Sequence, residues 1–163
     1  MELNNLFGVP AHPLVVHAAV VVLPLAAISL VLVALIPKAR RHYAPVVLGA
    51  AILATVAVGL AQGSGESLEE RVDRTELLRD HTSQGETVLP WAIAVSVVAA
   101  AVTALGYQPV RRRVEQLPAK AVSAVVVVAA LVSSIGAIVT IVDVGHSGAK
   151  AAWDDVGTEA SGK

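Results

Sequence analysis

Apolar positions in this chain do not alternate with polar ones; they come in four long blocks, at about 13–36, 43–62, 87–107 and 120–145. About 20 mostly apolar residues suffice for a helix to cross a hydrocarbon core, and each block meets that length. Short polar segments separate them, so the pattern predicts an all-α integral membrane protein, a four-helix transmembrane bundle. Residues 1–153 form one four-span domain, and 154–163 a small, polar, unstructured tail. Pro13 suits the first helical position, and Pro24 predicts a kink within the first span. Gly63-Ser64-Gly65 ends the second block. Ser67-Leu68-Glu69-Glu70 then reads as a capping box, opening a short amphipathic helix with Leu68, Val72, Thr75 and Leu78 at helical spacing. That helix lies over the bundle end or along the interface. Trp153 suits an interfacial anchor.

The blocks also hint at an internal repeat. Val22-Leu23-Pro24-Leu25-Ala26 resembles Val88-Leu89-Pro90-Trp91-Ala92, and Ser64-Gly65 after the second block resembles Ser147-Gly148 after the fourth. Two similar hairpins related by an axis along the membrane normal would give this pattern.

Composition strengthens the membrane reading. Of 163 residues 55% are apolar and 15% charged, where soluble domains carry about a quarter charged. Aromatics are only 3%, so helices must pack through Ala, Val, Gly and Ser, as membrane helices commonly do. The absence of cysteine removes disulfides, thiolate metal sites and covalently attached haem. A net charge of −1 gives no case for nucleic acid as a partner. The flank Met1-Glu2-Leu3-Asn4-Asn5 has no Lys or Arg and the first block is long, so it reads as a retained span rather than a cleaved signal. Lys38, Arg40, Arg41, Arg111, Arg112, Arg113 and Lys120 fall in the two short connections. The positive-inside rule therefore puts both connections in the cytoplasm and both termini outside.

In that orientation His12, His17, His81 and His146 all lie on the outer side, and only His42 lies inside. His17 sits about 6 Å deeper than Pro13, one helical turn into its span. An imidazole at that depth is costly without a partner and usually faces the bundle interior. Neutral imidazole ligates metals and haem iron. Asp143 and His146, at i,i+3, share a helix face, where the carboxylate would orient the ring. Each residue also has a plainer reading. His12 can be a polar residue where the helix begins, and His17 can bond a backbone carbonyl or Asp143. His81 can be solvated, His146 can simply end the last span, and Asp143 can reach water. His42, between arginines and Tyr43, reads as interfacial. Glu66, Glu69, Glu70 and Asp73 read as a solvated charged face. No hydrolase arrangement, phosphate loop or zinc-protease pair is recognisable.

The opening Pro10-Ala11-His12-Pro13-Leu14-Val15-Val16-His17, the apolar run with Pro24, Arg79-Asp80-His81 in the outer loop and the ending His146-Ser147-Gly148-Ala149-Lys150 resemble an uncharacterised bacterial family. Its members are four-span predicted membrane proteins, a domain of unknown function with an N-terminal His-Pro-x-x-x-His motif. The resemblance covers nearly the whole chain. It implies a bacterial inner-membrane protein with histidines as its characteristic polar residues, and some relatives are joined to cytochrome-like modules. Relatives often have an aromatic-proline step soon after the second histidine; this chain reads Ala18-Ala19-Val20, with less aromatic lining for a flat ring.

Three functions stay open at this point. The first is b-type haem for electron transfer, bound by His17 with His81 or His146 and backed by Asp143. The second is a divalent transition metal held by His12, His17, His81 and His146 in a transport-related protein. The third is an accessory subunit of a respiratory or other membrane complex. Enzymatic turnover has least support, since no nucleophile–base pair stands out.

Overall fold

The computed structural model describes residues 5–6, 9–69, 75–114 and 116–159. A two-residue antiparallel ladder comes first, β1 (Asn5–Leu6) against β2 (Val9–Pro10), with Asn5 opposite Pro10. Among the described residues six helices follow: α1 (Ala11–Leu35), α2 (Pro37–Glu69), α3 (Glu76–Glu86), α4 (Val88–Ala104), α5 (Gln108–Val114) and α6 (Ala119–Glu159). Four helical stretches are long and apolar enough to cross a membrane: His12–Leu35, Pro37–Ser67, Glu76–Ala104 and Ala119–Lys150. They form an up-down ring in which α1 packs on α2 and α6, and α4 packs on the same two helices from the opposite corner.

Size is sorted inside out. The buried seams are built largely of alanine, including Ala26, Ala27, Ala51, Ala54, Ala92 and Ala137, with Leu23, Leu30, Val95 and Val102 as the largest fully enclosed side chains. Bulky Leu25, Ile28, Leu53, Val97 and Val132 point outward, where lipid tails solvate them as well as protein would. Small residues let the helices approach closely enough for hydroxyls to bridge them. Thr55 on α2 donates to the Ala92 carbonyl on α4 at 3.0 Å, or shares its proton with Ser96 at 2.8 Å. Ser134 on α6 donates to the Ala27 carbonyl on α1 at 2.9 Å. Gly136 leaves room for the Trp91 indole, which a methyl group there would overlap.

Several element ends differ from expectation. Gly63-Ser64-Gly65 does not stop the second span; α2 continues to Glu69. Ser64 and Ser67 return their hydroxyl protons to the carbonyls of Ala61 and Gly63, so neither side chain competes with the helix. Ser67 is therefore an interior residue and not an N-cap; Glu70, its expected capping partner, lies outside the described residues, as does Val72. The short amphipathic helix is present but starts later, capped by Thr75, whose hydroxyl accepts the Leu78 N–H at 3.2 Å. The basic stretch after Ile36 is the opening of α2 rather than a turn. Arg40 there reaches back to the carbonyls of Val33 and Ala34, at 3.2 and 2.5 Å, closing the C-terminal end of α1. The expected tail is helical through Glu159, and residues 160–163 lie outside the described residues. The Trp153 side chain likewise falls outside them.

Candidate functional site

Two histidines meet the ends of two helices in the same way. His12, at the start of α1, lies against α2: its Nδ1 is 3.1 Å from the Ala61 carbonyl and 3.0 Å from Ser64 Oγ. Its Cε1 would stand 3.1 Å from a Cβ placed on Gly65. His81, in α3, lies against α6: its Nδ1 is 3.2 Å from Ser147 Oγ, whose own proton goes to the Val144 carbonyl. Its Cε1 would stand 2.9 Å from a Cβ on Gly148. Ala61, Ser64 and Gly65 recur as Val144, Ser147 and Gly148, at i, i+3 and i+4, and hence on one helix face each. A side chain at either glycine would press on the ring, more so at Gly148 than at Gly65.

The bonding assigns the role of Nδ1 in both rings. Ser64 donates its proton to the Ala61 carbonyl at 3.0 Å, and Ser147 donates to the Val144 carbonyl at 3.1 Å. Each hydroxyl can then only accept from its imidazole, and a carbonyl can never donate. Nδ1 therefore carries a hydrogen in both rings, which leaves Nε2 as the nitrogen with no part in this bonding. Both rings are half-buried. They lie within electrostatic range of one another, so protonating both would set like charges against each other. The arrangement is thus a pair of oriented imidazoles, one from each hairpin.

The remaining candidates stand elsewhere. His17 is exposed, its Nδ1 donating to the Pro13 carbonyl of its own helix at 2.5 Å. The reason is rotational: five residues at about 100° each set His17 about 140° round the helix from His12. His42 is exposed and turned back to the Lys38 carbonyl. Asp143 and His146 share a face of α6, as their spacing requires, but both are exposed. They line a groove of about 400 Å³ between α3 and α6. Ser147, rather than Asp143, is the group that holds His81. The expected layer of four histidines does not assemble: among the described residues no group of three or more His, Cys, Asp or Glu side chains could hold a metal ion. The repeated Ser-Gly pairs were the sequence signal for the His12–His81 arrangement, since each marks where a hairpin's leading histidine lands.

A four-span membrane bundle with one anchored imidazole per hairpin is the class that these features define. The chain belongs to the family described as "Predicted membrane protein (DUF2231)", which it matches over residues 8–160. No curated protein and no solved structure matches it.

Proposed function

We propose that this protein holds a b-type haem between its two hairpins, through Nε2 of His12 and Nε2 of His81, and serves as a membrane electron carrier. The observation that carries the reading is the repeated anchoring of both rings by a serine and a glycine one residue on. Fixing Nδ1–H in this way orients a ligating imidazole and raises its basicity. The donor count supports haem over a bare cation. Zn or Cu(II) asks for about four protein ligands, and two imidazoles fall short. A porphyrin would bring four nitrogens of its own, so that two protein imidazoles would suffice to hold it. The group would supply a one-electron couple at iron; the chain's own residues would hold the rings and fix the orientation of each through Nδ1.

The charge pattern supports an outer position for this pair in a bacterial inner membrane, with both termini outside and a respiratory or other membrane complex as redox partner. Optical spectra of the detergent-purified protein, oxidised and then dithionite-reduced, test the reading. A Soret band that shifts on reduction is expected, lost in His12→Ala and in His81→Ala and kept in His17→Ala. A featureless spectrum from haem-replete cells would overturn it, and a co-purifying partner in that sample would favour the accessory-subunit alternative.

A further inference from the structure

The α3–α6 groove is lined mostly by polar side chains, with Leu77 the apolar exception, and its inner end, at Thr140, lies near the middle of α6. On α6 its wall climbs through Thr140, Asp143 and His146; on α3 and the turn that follows it descends through Gln84 to Thr87. Helical rise puts Thr140 and His146 about 9 Å apart along the axis, enough for a single six-membered ring with its substituents. Ser147, the residue that holds His81, also lines the groove, so its occupant would lie one side chain from the ligand pair. The inner end leads onto an apolar surface: Val139 and Val142, each one residue before a groove-lining side chain, are 51% and 62% exposed.

We infer that this groove binds the headgroup of a membrane-dissolved quinone or quinol. Its hydroxyl and amide donors, Thr140, Thr87 and Gln84, suit ring carbonyl oxygens, and the Asp143 carboxylate suits a ring hydroxyl as acceptor. A phospholipid phosphate fits poorly, because Asp80 joins Asp143 in the wall against the single ammonium of Lys150. An occupant with an apolar tail finds Val139 and Val142 at the groove's lipid side. The choice of a quinone over other neutral headgroups rests on the electron-carrier reading above; the binding itself does not.

Equilibrium dialysis of the detergent-solubilised full chain against ubiquinone-1 and against menadione tests the inference. Saturable binding of one equivalent per chain to at least one of them is expected. It should weaken tenfold or more both in the double variant Asp143→Asn/His146→Gln and in Thr140→Leu, which fills the inner end. Saturable binding by a native chain that shows no haem chromophore would defeat the haem reading and leave this one standing. Absence of saturable binding to either quinone, unchanged affinity in both groove variants, or displacement by excess phosphatidylethanolamine would overturn it.

Discussion

Ser64 and Ser147 set the orientation of the His12 and His81 rings, and on the haem proposal that orientation is what a ligating imidazole needs. Each accepts an Nδ1–H while its own proton is committed to the helix, a relay that alanine cannot reproduce. Ser64→Ala and Ser147→Ala should each weaken haem retention roughly tenfold or more, as losses of such supporting bonds do elsewhere. Haem titration of the stripped protein measures this, and Ser→Thr at the same positions should recover most of the loss. A shift in midpoint potential should accompany the change, which a purely structural role for the hydroxyl would not produce. At this scale the sequence was partly misleading. His17 looked the better ligand because of its depth, yet depth says nothing about azimuth. Once His12 faces α2, the 3.6-residue turn carries His17 to the outside.

Among the elements, α2 and α3 show where local rules yield to packing. Two glycines and a serine usually mark a helix end, but Gly65 is covered by the His12 ring, and that contact keeps the segment in register. No pattern within α2 itself records it, because the covering residue is 53 positions earlier in the chain. Thr75 caps α3 without the reciprocal acid of a capping box, which is why the earlier Ser67 drew the expectation. Thr75→Ala should cost about 1 kcal/mol of local helix stability, seen as faster hydrogen exchange confined to α3. The α4–α6 contact is stricter. Gly136→Leu would drive a branched side chain into the Trp91 ring and should destabilise the bundle by about 1–3 kcal/mol. Thermal melts in detergent would show it, with Trp91→Ala relieving the added clash in the double variant.

For the whole molecule, the spans were legible because nothing else explains four such runs of apolar residues, and the ring order follows from short connections between antiparallel neighbours. Ends, faces and partners were less so. With apolar residues on every side of a membrane helix, hydropathy alone does not tell the buried alanine seam from the lipid-facing surface; side-chain size does, and only once neighbours are known. The arginine-rich connections make a prediction at this scale. Single cysteines at Ser161 and at Arg41 should react with a membrane-impermeant maleimide from opposite sides, Ser161 in intact spheroplasts and Arg41 only after lysis.

One imidazole from each hairpin means that neither half owns the site. Chains cut between α2 and α3 and produced separately should stay colourless, and should turn red only when both pieces share a membrane. The haem would then act as a clasp, its colour a coincidence signal for docking of the halves.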